Sequence, residues 1–445
     1  MHHRCLRLPG LVVALCACST IVFGQIPVIP DSAANLNTDF HFQLTTVSQL
    51  HPTFHAPYGG ANSLVADEPT AMTLTATIFW GIQVGKLGEF YLNPEIAGGA
   101  GVGSAKGIAG FPNGEAFRVG DPSPAFYFAR AYLKHTFNLG GDEIYIGESA
   151  NQVNKTRTSK YLDIVGGKFS MADFYDKNSY SHDPRSQFLN WALMSGGGWD
   201  YPANVRGYTW GVHVEYGNPN WAVRGAVVLV PKEANGNDLD MDITNHRSYT
   251  LEVEKSFTIG KRPGVARLLG FYTLAHMGNY DRAVALQPLA PDVTATRTVG
   301  STKYGWLFNV EQEISSRIGA FARASWNDGT NETWAFTEID RSVSIGIVDK
   351  AGLFPKNSDE FGLATLVNGI SQPHRNYLGA GGYGFIIGDG KLNYAGEWAT
   401  EFYYKVNMFY PGFWLTADYQ LVVNPAYNQD RGPVHLFALR AHIEL

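Results

Sequence analysis

The chain has 445 residues, 17% of them charged and 13% aromatic, with 49 glycines and a net charge of −6. Soluble domains usually carry about 25% charged residues, and the mild acidity gives no case for nucleic acid as a partner. Past the first 25 residues no run approaches the roughly 20 apolar residues of a spanning helix, which leaves a large soluble all-β protein or a membrane barrel.

Arg4 and Arg7 precede an apolar core from Leu11 to Cys18, and Ile21-Val22-Phe23-Gly24 offers a small residue for cleavage before Gln25. Residues 1–24 are therefore predicted to be a secretory signal peptide, outside the fold. Ala14-Leu15-Cys16-Ala17-Cys18 is similar to a lipoprotein acceptor box, but Cys16 sits badly inside it, and a cleaved leader is preferred. Cys5, Cys16 and Cys18 all lie in this leader, so the remainder has no disulfide, thiolate metal site or cysteine nucleophile. It carries 32 basic against 40 acidic residues. An exported chain without disulfides must hold together by other means, and a closed hydrogen-bonded barrel does so. Residues 25–38 read as a periplasmic lead-in, and 39–445 as one barrel domain.

From Asp39 onward the dominant signal is alternation. Tyr208, Trp210, Val212, Val214 and Tyr216 share one phase, and Thr209, Gly211, His213 and Glu215 the other. Trp221, Val223, Val227 and Leu229 repeat the pattern, with Arg224 in the opposite phase. Tyr304, Trp306, Phe308 and Val310 oppose Asn309 and Glu311, while Phe402, Tyr404 and Val406 oppose Glu401, Tyr403 and Lys405. Segments of about 9–12 residues match a tilted strand crossing a bilayer, against a mean of about 5–6 in soluble sheets. Aromatics near segment ends (Tyr208, Trp221, Trp306, Trp326) fit interface girdles. A soluble barrel or propeller is the alternative, since both also alternate. Lys255 falls on the apolar phase of 249–259, which requires either a place near the interface or a different phase there. The longest interruption, 169–205, contains Phe188-Leu189-Asn190-Trp191-Ala192-Leu193-Met194, compatible with one or two helical turns. Finally Phe437, Leu439, Ala441, Ile443 and Leu445 alternate with Ala438, Arg440, His442 and Glu444, as a strand closing a barrel would.

Several blocks resemble the carbohydrate-selective outer-membrane porin family. They are Leu50-His51-Pro52-Thr53-Phe54-His55 with Asn62-Ser63-Leu64, residues 109–117, residues 336–341 and residues 424–434. The most specific is Asp183-Pro184-Arg185-Ser186-Gln187-Phe188-Leu189-Asn190-Trp191, followed by Trp199-Asp200-Tyr201-Pro202-Ala203 and Arg206-Gly207-Tyr208-Thr209-Trp210-Gly211. The resemblance implies an all-β fold, a transmembrane antiparallel β-barrel of about 16 strands, in the bacterial outer membrane, through which neutral sugars diffuse. Terminal strands of such barrels usually end in Phe, and Leu445 departs from that.

Motifs for other chemistry are weak. Asn235-Gly236-Asn237-Asp238-Leu239-Asp240-Met241-Asp242 has oxygen side chains at alternate positions, as calcium loops do, but lacks the closing bidentate Glu. A solvated hairpin loop is predicted instead. A strand start and a proline turn separate His41, His51 and His55, and residues 97–103 are glycine-rich without a P-loop Lys. Gly-x-Ser-x-Gly is absent. No catalytic residue, cofactor or metal is assigned.

Sugar paths combine aromatic faces for C–H stacking with polar groups for hydroxyls. That mixture makes Arg185, Trp191, Trp199, Asp200, Tyr201, Arg206 and Trp334 the candidate substrate path, and the span 183–206, which holds all of them but Trp334, is a loop long enough to fold into the lumen. Packing of the same aromatics against the wall is the equal alternative. The polar phase predicts lumen-facing His213, Glu215, Arg224, Glu252, Glu254, Glu311, Arg323, Lys405, Asp418 and Arg440. The expected partners are carbohydrate solutes, outer-membrane lipid and the barrel-assembly machinery, with the protein a monomer or homotrimer. A porin for organic acids or ions, and less so a barrel enzyme, remain open.

Overall fold

Alternation makes each strand two-faced, and the faces separate as read. Trp210, Val212, Val214 and Tyr216 point outward, whereas Thr209 and His213 of the alternate phase are buried. The computed structural model describes residues 37–116, 122–351 and 359–445. The predicted signal peptide 1–24, most of the predicted lead-in 25–38, and Phe117 at the end of one family-like block lie outside the described residues. In chain order the strands are β1 (Thr38–Leu50), β2 (Ala71–Val84), β3 (Gly88–Gly98), β4 (Ala125–Asn138), β5 (Glu143–Ile146), β6 (Lys155–Thr158), β7 (Tyr161–Phe169), β8 (Thr209–Gly217) and β9 (Trp221–Val228). There follow β10 (Arg247–Ile259), β11 (Arg262–Ala275), β12 (Ser301–Glu313), β13 (Ile318–Asn327), β14 (Arg341–Asp349), β15 (Glu360–Gly369), β16 (Glu397–Asn407), β17 (Phe413–Val423) and β18 (Val434–Glu444).

All but β5 and β6, which form a separate hairpin, join one closed antiparallel barrel of 16 strands. Barrel strands run from 8 residues in β9 to 14 in β2, β4 and β11. The barrel closes where β18 pairs with β1, in register from Gln43↔Glu444 to Leu50↔Phe437. Phe42 and Leu445 extend the seam by exchanging both backbone hydrogen bonds at 2.9 Å. Every barrel strand thus has two neighbours, and no sheet edge leaves N–H or C=O groups facing lipid. A soluble barrel would present polar side chains outside. This wall instead presents Phe126, Leu133, Leu251, Leu268, Val343 and Trp398.

Short turns such as 85–87, 218–220 and 260–261 lie at one end, and the long connections 51–70, 99–124, 170–208, 229–246, 276–300, 328–340, 370–396 and 424–433 at the other. The short-turn end is periplasmic and the long-loop end extracellular. The β4–β7 connection, 139–160, is an exception at the periplasmic end. Its Val153 N–H donates to the Tyr91 hydroxyl at 3.1 Å, and Lys155 pairs with Glu89, so it tucks up into the lumen.

Three local features depart from strict alternation. Lys255 does lie on the outward phase, but opposite Trp221 beside the 218–220 turn, with its ammonium 4.5 Å from the Trp221 ring centroid. That is an interfacial position, where a charge costs little. Tyr208, expected in the outer girdle, precedes β8 and turns inward, its hydroxyl donating to Glu95 at 3.1 Å. On β3 the register to β4 slips between Asn93 and Pro94, so that Asn93 pairs with Arg130 and Pro94 with Phe128. Proline has no N–H for the ladder, and the bulge re-aims the side chains that follow. Phe126 and Phe128 point outward, yet Arg130 two residues on points into the barrel.

Candidate pore and its constriction

The inward-facing acids and bases of the wall do not stand in open water. They anchor the 170–208 connection, which folds into the barrel. On β10, Glu252 accepts the Asp176 N–H at 2.8 Å. On β13, Arg323 donates to the Asp176 carboxylate at 2.9 Å and to the Leu193 carbonyl at 2.8 Å. On β16, Glu401 accepts the N–H groups of Leu189 and Asn190 at 2.5 and 2.9 Å. On β18, Arg440 donates to the carbonyls of Pro184 and Gln187, each at 2.7 Å. Charge-assisted bonds of this kind contribute about 1.5–3 kcal/mol each. The loop's α-helical turn, Trp191–Met194, is capped by the Asn190 side chain accepting from Ala192 N. Wall glycines make room for loop aromatics: a Cβ on Gly319 would sit 1.9 Å from the Tyr180 ring, and one on Gly362 would sit 2.7 Å from Phe188.

Two other extracellular loops reach in beside it. Glu397 accepts from Ala109 and Gly110 N–H at 2.8 and 3.0 Å, and Gln420 donates to the Pro112 carbonyl at 2.8 Å. Asp200 accepts from Trp334 N–H at 3.1 Å and Ala335 N–H at 2.8 Å, tying loop 328–340 to the constriction.

Beside the loop a cavity of about 300 Å³ stays open, lined from the extracellular loops by Arg206 and Phe336 and from the periplasmic side by Ala150 and Asn151. Arg185 is at its centre. Its guanidinium donates to Glu95 at 3.1 Å, to both oxygens of Glu115 at 3.2 Å, to Gln43 at 3.2 Å and to Thr77 at 3.0 Å. Arg130 makes a bidentate pair with Asp173 at 2.7 and 2.6 Å. The Arg206 guanidinium lies 4.4 Å from the Tyr127 ring centroid. Trp191 stacks on Phe336 with centroids 4.4 Å apart and planes 9° apart, and Tyr201 meets both edge-on.

Burial opposes ionisation of Asp183, but Arg185, its backbone N–H and the Ser186 hydroxyl outweigh it and hold the carboxyl below its ordinary value. Burial lifts Asp200 to about 6, against the pull of Lys303 and the two N–H groups it accepts from. Burial also lowers His182, keeping that imidazole neutral.

Of the predicted path residues, Arg185, Trp191, Tyr201 and Arg206 line this cavity. Trp199 does not. It is 1% exposed, packed against Tyr201 with ring centroids 5.0 Å apart. Trp334 is buried too, its indole N–H donating to the Pro231 carbonyl at 2.8 Å, and Asp200 serves as the tie described above. Among the wall residues Arg224 bridges Glu215, Glu252 and Glu254 at 2.6, 2.6 and 3.1 Å. Glu311 meets Arg267 at 3.4 Å, Lys405 pairs with Glu360 at 3.0 Å, and Asp418 accepts from Gln420 at 3.3 Å. His213 stacks on Phe174 at 4.2 Å. The interior is mixed in charge, but that charge is largely paired and roofed by the loop.

The sequence reading missed Glu95, Glu115, Arg130, Asp173 and Phe336, all now at the cavity or bonded to its lining. Glu95 was available from the inward parity it shares with Glu89 and Tyr91. Arg130 was not, because the bulge breaks parity. Among the described residues no group of three or more His, Cys, Asp or Glu side chains is placed to hold a metal ion. In the calcium-like loop the acids serve the loop itself, Asp240 accepting from Asp242 N–H at 2.9 Å and pairing with His246 at 2.8 Å.

A closed 16-strand barrel with an apolar outer wall, narrowed from within by an extracellular loop, defines the general class of outer-membrane diffusion channels. The particular family follows from comparison. The model of the carbohydrate-selective porin, OprB family, matches residues 80–445, and the chain belongs to that family. The high-pH structure of Pseudomonas putida OprB superposes with a TM-score of 0.67 at 16% identity, over 92% of this chain and 94% of that one. The outer membrane channel DcaP of Acinetobacter baumannii superposes with a TM-score of 0.50 at 10% identity, over 93% and 99% of the two chains. No curated relative matches the chain. The protein is thus a carbohydrate-selective porin of the outer membrane.

Proposed function

We propose that neutral mono- or oligosaccharides cross this porin by passive diffusion through the cavity around Arg185, with no covalent chemistry on the solute. The observation that carries the reading is the pairing of Arg185 with Glu95 and Glu115, and of Arg130 with Asp173, beside the Trp191, Tyr201 and Phe336 rings. Paired charges offer hydroxyls both donors and acceptors with little net field, and rings offer faces or edges to C–H groups. An organic-acid channel would instead present guanidinium groups without acid partners. The same reading has residues 1–24 removed on export, the barrel inserted by the assembly machinery, and a monomer or homotrimer in the membrane.

Liposomes containing the purified protein should swell in isotonic monosaccharide and disaccharide at rates that fall with sugar size, and faster than in amino acids of like mass. Added sugar should reduce the single-channel ion current. Indifference to every sugar tried, together with strong anion selectivity, would overturn the assignment in favour of an organic-acid pore.

A further inference from the structure

The outer wall carries two neighbouring hollows, one basic and one apolar, that adjoin along β8. At the extracellular rim of β4, β7 and β8 a hollow of about 540 Å³ is lined by Lys168, Arg206 and Lys232, with Asp238 the one acid among its lining residues. Lys168 is on the bilayer-facing phase, in register with Trp210, at the end of β7 where the long loop begins. Trp210 and Phe126, both outward-facing, mark this as headgroup level. One ammonium proton of Lys168 goes to the Phe128 carbonyl at 2.8 Å, and an ammonium has two more to give.

A second hollow of about 680 Å³ begins at Val212 and Val214 of β8, on the periplasmic side of Trp210, and extends sideways away from β7. Its outward residues form two rows across β8 to β11. The upper row is Val212, Val227, Tyr249 and Tyr272. The lower is Val214, Gly225, Leu251 and Gly270, so two glycines interrupt it. A Cβ on Gly225 would meet nothing nearer than 3.6 Å, and one on Gly270 nothing nearer than 4.0 Å. Packing within the barrel therefore does not require these glycines. They leave a trough in the lipid-facing surface.

We infer that this face is a specific site for one phosphorylated glycolipid of the outer leaflet, its phosphate at Lys168 and Lys232 and an acyl chain in the Gly225–Gly270 trough. Charge complementarity sets the head, because two or three cations converge at the level where that leaflet places its phosphates. The adjoining apolar trough, reached from Val212 and Val214 of β8, sets the tail. Arg206 also lines the solute cavity, so the test leaves it alone.

The protein, purified in detergent, is titrated with lipid A and with lipid A stripped of its phosphates, and bound lipid is read by native mass spectrometry. Wild type should retain a single lipid A and bind the dephosphorylated form at least about tenfold more weakly. Lys168→Gln with Lys232→Gln should lose that preference, and Gly225→Val with Gly270→Val should weaken both lipids. Sugar-driven swelling should be unchanged in each variant, which separates this site from the pore assignment. Equal binding of the two lipids by wild type, meaning annular lipid only, would overturn the inference. So would a change of oligomeric state in the valine variant with lipid binding intact, which would mark the trough as a surface for a second copy of the chain.

Discussion

Arg185 spends its guanidinium on four side chains drawn from β1, β2, β3 and the 99–124 loop, and so fixes the constriction against one side of the barrel. Its partner Glu95 is fully enclosed. Removing one member of a buried pair leaves the other charge uncompensated, typically at about 3–5 kcal/mol. Arg185→Gln is therefore expected to lower the temperature at which the protein loses its compact gel mobility, and to shift the reversal potential toward cations as Glu95 and Glu115 lose their counter-ion. Unchanged selectivity would place Arg185 outside the ion path. Glu252 behaves differently from a free lumen acid, because Arg224 and the Asp176 N–H already hold it. Its replacement is expected to loosen the loop as well as alter ion preference.

Asp200 makes a pH-dependent prediction at the same scale. Its carboxyl is lifted to about 6 from an ordinary 3.8. A raised pKa means the folded state binds the proton first, so the stability it contributes is complete below about pH 4 and lost as pH rises through about 6. At pH 7 the buried carboxylate costs on the order of 3 kcal/mol relative to its protonated form. Asp200→Asn keeps a carbonyl oxygen for Trp334 and Ala335 and removes the charge. The variant should unfold at an equal or higher temperature than wild type at pH 7, with the difference shrinking toward pH 4. A lower unfolding temperature for the variant at pH 7 would show that the ionised form is needed for the tie.

Among the elements, the 170–208 connection and β18 carry the most consequence. The loop is held by side chains from β10, β13, β16 and β18, so no single anchor defines it. Replacing residues 183–191 with a short Gly-Ser bridge should leave the barrel intact, because Glu401 and Arg440 would then face water. Single-channel conductance should rise at least about twofold, and the size limit in swelling assays should move to larger oligosaccharides. Conductance at the wild-type level would mean that 99–124 or 139–160 sets the narrowest point. In β18, deleting residues 439–445 removes most of the register with β1 and should block insertion. Leu445→Phe keeps an outward apolar residue at the seam and should insert as well as wild type or better.

For the molecule as a whole, the closed ladder predicts heat-modifiability: unboiled protein should migrate differently from boiled protein on a denaturing gel, with a strand-dominated circular dichroism spectrum in detergent. Paired lumen charges predict a small reversal potential under a salt gradient, weakly cation-selective given the excess of 40 acidic over 34 basic residues in the chain. A reversal potential near the ideal value for one ion would contradict the observed pairing.

Alternation along segments such as 209–216, 304–310 and 437–445 carried the barrel, its membrane setting and its closing strand, because strand side chains alternate with a period of two and lipid admits few polar residues. Charge on the polar phase was legible for the same reason, down to Arg224, Arg323 and Arg440. The family-like block from Asp183 to Trp191 pointed to the loop that matters. The sequence did not carry the folding of that loop onto Glu401 and Arg440, or the way Trp199 and Trp334 became packing while Trp191 and Tyr201 line the cavity. Those outcomes depend on contacts between residues hundreds of positions apart, such as Leu189 with Glu401. Nor did it carry the inward turn of Tyr208 and Arg130, where a strand end and a bulge at Ala129, opposite Pro94, break the period on which the reading rests. A local period determines which face a residue occupies. Only the closed barrel decides which inward residues meet, and therefore which stay open to a passing solute.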